Sequence, residues 1–146
     1  MIATGNRQIE NIIVLPMDDG RVLLPRSRTK GEWSYHLLKT SRKDNETVDV
    51  AAQRVTASRT GLAFTLEREL DRSVSYDEPL DVFNPQMDKV DVTHIIVSGA
   101  VTNTVEDKLD HYEWLPIEEA LEHIGPIANK LVSYAKAIQV LRTYPR

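Results

Sequence analysis

The stretch from Thr40 to Leu62, TSRKDNETVDVAAQRVTASRTGL, constrains this chain more than any other, because it prescribes a loop, a helix and a helix stop in fixed order. The spacing predicts a helix over Glu46–Thr60. Asn45 is a suitable N-cap, Glu46 and Asp49 place negative charge in the first turn, and Val48, Ala51, Ala52 and Val55 form one apolar stripe. Gly61 then ends the helix, since glycine takes the left-handed conformation without a Cβ penalty, and Leu62 can fold back onto the last turn.

A chain of 146 residues with 41% hydrophobic content suits one globular domain over 1–146. The longest apolar runs, Ile12 to Leu15 and Ile95 to Val97, are too short to cross a bilayer, and the opening MIATGNRQ lacks an apolar signal core. A cytoplasmic location with no membrane partner is the expectation. With no cysteine, disulfides, thiolate catalysis and cysteine-based zinc sites are excluded. The net charge of -4 is unevenly spread. Residues 21–60 carry nine Lys or Arg against four Asp or Glu, whereas the remainder carries nine against eighteen. That split points to a small anionic ligand at the first third of the chain rather than to nucleic acid; a scattered, solvated set of charges would give the same count.

In chain order, Asn11 to Leu15, the turn signal Asp18-Asp19-Gly20, and Arg21 to Leu24 read as a β-hairpin. Ser34 to Leu38 reads as a further short strand, and residues 62–82 as a strand region ending at Asp77-Glu78-Pro79. Val90 to Val101 is apolar on both alternating sets, as a buried central strand requires. Asn103 to Asp110 reads as an acidic loop, Tyr112 to Pro116 as a strand, and Ile117 to Leu121 as a short helix. Pro126 is suited to open a final helix with Ile127, Leu131, Tyr134, Ala135, Ile138 and Leu141 at helical spacing.

The order of these landmarks resembles the Nudix hydrolase family, whose signature is G-x5-E-x7-R-E-U-x-E-E-x-G-U, with U a bulky aliphatic residue. Glu46 falls on the first glutamate, Arg54 on the arginine, and Gly61-Leu62 on the ending. The box is degenerate. Thr40 stands for the first glycine, Val55 for the second glutamate, Thr56 for the aliphatic residue, and Ser58 and Arg59 for the paired glutamates. The strand, turn, strand and tryptophan of IIVLPMDDGRVLLPRSRTKGEW, and the Trp114-Leu115-Pro116 tail, also resemble family landmarks. The resemblance implies an α/β (α+β) fold, a Nudix-type αβα sandwich with a curved mixed sheet. It also implies cleavage of nucleoside diphosphate derivatives with Mg2+ or Mn2+.

Hard cations need clustered oxygen ligands, and here only Glu46 remains of four family carboxylates. Arg59 puts positive charge where the family puts a ligand. The first expectation is therefore a Nudix-fold protein without ordinary metal-dependent pyrophosphohydrolase activity, binding a nucleotide or similar anion through Lys39, Arg42, Lys43, Arg54 and Arg59. Internal pairing of Arg54 with Glu46 or a backbone carbonyl is the plainer alternative. A second expectation is a divergent hydrolase, with Glu46 as catalytic residue and metal ligand, helped by Asp44, Asp49 or Glu106, Asp107 and Asp110. A third is a protein-interaction or regulatory domain on the same scaffold. Trp33, Tyr35 and His36 could stack on a base but read more simply as packing, and His94 reads as a hydrogen-bonded core histidine.

Overall fold

The computed structural model describes residues 7–80, 84, 88–102 and 108–145. Strand β1 (Arg7–Asp18) lies at the centre of the sheet. It pairs in parallel with β6 (Lys89–Thr102), from Arg7 opposite Val90 to Pro16 opposite Gly99. Its end turns through Asp19 and Gly20, both at positive φ, into the antiparallel β2 (Arg21–Thr29), the hairpin that the turn residues prescribe. The sheet runs β5-β6-β1-β2-β8-β7, with β3 (Glu32–Tyr35) added to β2 and β4 (Leu38–Ser41) to β1. Here β5 is Ala63–Pro79, β7 is Lys108–Leu109 and β8 is Tyr112–Pro116. It is a mixed, curved and open sheet.

Alternation along each strand divides the core in two. Ile12 and Val14 of β1, Leu23 of β2 and Ile95 and Val97 of β6 face helix α1 (Val48–Thr60), with Ala51, Ala52 and Val55 packed on them. Ile13, Leu15, Val22, Leu24 and Ile96 face the other way. They are covered by α2 (Ile117–Ala128) and α3 (Val132–Thr143). Burying one such Ile or Leu contributes about 1.5–3 kcal/mol, so a one-residue slip of β1 would exchange its two faces and be strongly opposed. The sequence expectation of a mixed sheet between helices on both faces holds.

Four local expectations are corrected. The helix starts at Val48, not Glu46, because Thr47 and not Asn45 is its cap: the Thr47 side chain accepts from the Val50 N–H at 3.1 Å. The segment read as one strand from Ser34 to Leu38 is two, β3 (Glu32–Tyr35) and β4 (Leu38–Ser41). The chain leaves β2 after Tyr35 and joins β1 at Leu38, while the Leu37 N–H is taken by the Tyr134 hydroxyl at 3.1 Å. Pro126 sits inside the last turn of α2 and does not open α3; an extended Leu131 separates the two helices. Lys108 and Leu109, read as loop, pair with β8, and the rest of the predicted acidic loop, 103–107, lies outside the described residues.

Strand β5 pairs antiparallel with β6 and contains three register shifts, after Leu66, Glu69 and Ser75. Near the first of them, a Cβ on Gly99 would stand 2.1 Å from the Thr65 carbonyl oxygen and 2.7 Å from the Phe64 ring. Backbone cannot yield as a flexible side chain does. Gly99→Ala is expected to destabilise the protein by about 1–3 kcal/mol, the usual range for overpacking. Thermal melting checks it: a midpoint within a degree of wild type would contradict the close packing.

Candidate functional site

The loop before α1 is closed by Arg54, with Arg42 beside it. Arg54 donates from Nε to Glu46 Oε2 at 2.7 Å and from Nη2 to Glu46 Oε1 at 2.9 Å, a bidentate pair. Its Nη1 reaches Thr40 Oγ1 at 3.0 Å and its Nη2 also reaches the Ser41 carbonyl at 3.0 Å. Four of the five guanidinium donors are thus spent on the protein. Glu46 Oε1 also accepts the Lys43 N–H at 2.9 Å. The Arg54 hydrogen bonds, then the Lys43 backbone donor, hold the Glu46 carboxyl at a pKa of about 2. Thr56, on the family's aliphatic position, stays buried because its hydroxyl donates to the Ala52 carbonyl at 2.8 Å.

The other predicted contacts are divided among several places. Arg42 pairs through Nε with the Glu10 carboxylate and donates from Nη1 to the Glu46 carbonyl at 2.8 Å, so it braces the same loop. Lys43 and Arg59 are exposed and make no side-chain hydrogen bond or ion pair among the described residues. Burial and then the charge of Arg59 lower the pKa of His36; burial raises that of Tyr134, with the Leu37 hydrogen bond and then the charge of Arg59 opposing. Lys39 projects to the opposite face of β4 from Thr40, towards α3. Its Nζ donates to Ser133 Oγ at 3.2 Å and stands 5.7 Å from the Tyr134 ring centre. Burial lowers its pKa, and the charge of Glu78 partly offsets that. Tyr134 therefore has Lys39 beside its ring and Arg59 within electrostatic reach of its hydroxyl.

The aromatic residues before the loop are packing. Tyr35 is buried and donates to Glu113 Oε1 at 2.5 Å, and Trp33 has the Arg26 guanidinium 3.8 Å from its ring centre. His94 is buried too. Asn11 Nδ2 donates to its Nδ1 at 3.2 Å and its Nε2 donates to Glu78 Oε2 at 3.0 Å, the neutral tautomer that satisfies both neighbours. Burial is the main cause of its lowered pKa, with Glu78 opposing.

Sequence reading missed the residues around His94. Ser41, Asn11, His94 and Ser73 stand opposite one another in β4, β1, β6 and β5, a polar row across four strands. Lys136 of α3 donates to Ser73 Oγ at 2.7 Å above it. Beside the row, Lys39, Glu78, Ser133 and Leu131 border a cavity of about 150 Å³. It adjoins one of about 270 Å³ that shares Lys39, Glu78, Pro79, Leu80 and Leu131. A parity count from Ile13 back to Asn11 and from Ile96 back to His94 would have put these two polar residues on one face; their pairing needs the register.

A divalent cation does not fit the donor set of α1 and the loop before it. Both Glu46 oxygens are held by Arg54, Asp49 accepts from Gln53 at 3.1 Å within its own helix, and Ser58 and Arg59 offer a hydroxyl and a positive charge. Among the described residues no group of three or more His, Cys, Asp or Glu is arranged to hold a metal ion. Asp110 is exposed in the turn before β8, and Glu106 and Asp107 lie outside the described residues. No helix among the described residues is long and apolar enough to cross a membrane.

An open mixed sheet with this loop and helix on one face and two helices on the other defines the Nudix class of fold. The NUDIX domain profile matches residues 7–135, and the chain belongs to that family. Among solved structures it is similar to the solution structure of the E. coli ORF135 protein, with a TM-score of 0.61, 16% identity and 96% of each chain covered. It is also similar to a NUDIX hydrolase from Nitrosomonas europaea, with a TM-score of 0.60, 16% identity and 90% of each chain covered. No curated protein matches the chain by sequence.

Two pH dependences follow. Glu46 has a folded pKa near 2 against an ordinary 4.5, so its pairing stabilises the fold fully above pH 4.5, and that contribution is lost as pH falls from 4.5 towards 2. Glu46→Gln should lower the melting temperature at neutral pH and flatten its dependence in that window; parallel curves for variant and wild type would refute the pairing. His94 has a folded pKa below 6.5, so the unfolded chain binds more protons as pH drops below that value, and stability falls. His94→Gln should reduce the slope of melting temperature against pH between 6.5 and 5, measured by calorimetry.

Proposed function

We propose that this Nudix-family chain binds a nucleotide or another phosphate-containing anion without a divalent cation, and does not carry out the ordinary metal-dependent pyrophosphate hydrolysis. The observation that supports this reading best is the placing of Arg59. It is exposed, carries no hydrogen-bond or ion-pair partner among the described residues, and lies within electrostatic reach of Tyr134, beside which Lys39 also lies. A cation at that point repels a metal ion and attracts phosphate oxygens. Lys39, Lys43 and Arg59 retain donors for an anion, whereas Arg54 and Arg42 are committed to holding the loop. The divergent-hydrolase reading needs Glu46 free of Arg54, against the bidentate pair.

A thermal-shift screen of nucleotides with and without chelator tests the proposal, since a ligand that binds only the folded chain raises the midpoint. Stabilisation by nucleotides that chelator leaves unchanged is expected, with Arg59→Glu weakening binding at least about tenfold, the order of one lost charge-assisted contact. Magnesium-dependent release of a nucleoside monophosphate, abolished by Glu46→Gln, would overturn it in favour of a hydrolase.

A further inference from the structure

The cavity under the start of α3 has a donor and acceptor pattern that the anion site alone does not use. Lys39 has three N–H donors and spends one on Ser133, whose own hydroxyl proton remains to be given. Across the cavity Glu78 accepts from His94 through Oε2, leaving Oε1 as an acceptor. Ile9, Val90, Val92, Leu80 and Leu131 supply apolar walls. Two donors side by side suit one oxygen with two lone pairs, and a ring nitrogen with a single lone pair can satisfy only one of them. The carboxylate opposite requires an N–H.

Resting on the reading that the chain binds a nucleotide, we propose that this cavity holds the base and selects one with a carbonyl beside a ring N–H. Guanine and uracil have that edge. Adenine lacks the carbonyl, and cytosine turns an unprotonated ring nitrogen towards Glu78, where two acceptors would face each other. The Asn11–His94–Glu78 chain is the positioning device: Asn11 fixes the tautomer of His94, and His94 holds one oxygen of Glu78, so the carboxylate is aimed before the ligand arrives. Leaving a buried partner unpaired is what gives such a site its discrimination.

The full chain should be titrated calorimetrically with GMP, UMP, AMP and CMP. GMP and UMP are expected to bind at least about tenfold more tightly than AMP and CMP, the size of one mismatched hydrogen bond. Glu78→Gln and Ser133→Ala should each shrink that preference to within about threefold, with melting curves confirming that both variants fold. Arg59→Glu should weaken all four ligands alike and keep the preference. Equal affinity for the four would overturn the base assignment and leave the anion reading standing. Absence of binding by all four would overturn the base assignment, and the anion reading falls only if the thermal-shift screen also finds no stabilising phosphate compound.

Discussion

Strand β1 is covered on both faces, and that burial governs everything placed beside it. A strand with Ile12 and Val14 turned to one helix and Ile13 and Leu15 to two others has one register open to it. Its neighbours inherit the parity. Leu38 and Thr40, opposite Val14 and Ile12, face α1; Lys39 and Ser41, opposite Ile13 and Asn11, face α3. The division of labour follows: Thr40 receives the Arg54 guanidinium, while Lys39 reaches Ser133 and the cavity. One strand of four residues thus serves two unrelated sites, because adjacent side chains of a strand point to opposite faces.

The parts of the fold that could be read beforehand were those with local chemistry. Gly61 adopts φ +76 and ends α1, Asp19-Gly20 makes the hairpin turn, and β6 alternates between two apolar sets as a central strand must. What could not be read depended on partners distant in sequence. Nothing local tells Asn45 from Thr47 as a cap, because the choice is made by Arg54 drawing Glu46 out of the helix and into the loop. The break between β3 and β4 is set by a tyrosine 97 residues away from Leu37. The same limit applies to the site. The spacing of eight from Glu46 to Arg54 allowed their pairing to be weighed, but no spacing relates Lys39 to Ser133 or Glu78 to His94.

The stretch from Thr40 to Leu62 assigns folding and surface charge to different residues. Glu46, Arg54 and Gly61 fold the loop and stop the helix; the positions now held by Val55, Ser58 and Arg59 do not participate in that work. Val55 is packed into the α1 face of the core, and Ser58 and Arg59 are exposed. A substitution at the latter two would therefore leave the scaffold intact while changing the charge of the surface it presents. Thr56 shows the complementary case, a polar residue tolerated at an apolar position because its own helix supplies a carbonyl acceptor four residues back.

The bulges of β5 have a consequence for how copies of the chain behave together. A strand of 17 residues on the rim of a sheet would, if flat, offer its backbone as a template to any other chain. Here register shifts interrupt its ladder at three points, and Glu67, Arg68, Glu69 and Arg72 line its exposed middle with charge. Growth by edge-to-edge accretion is thereby discouraged, so the longest strand is also the sheet's terminator, and colloidal stability is written into the irregularity of its ladder.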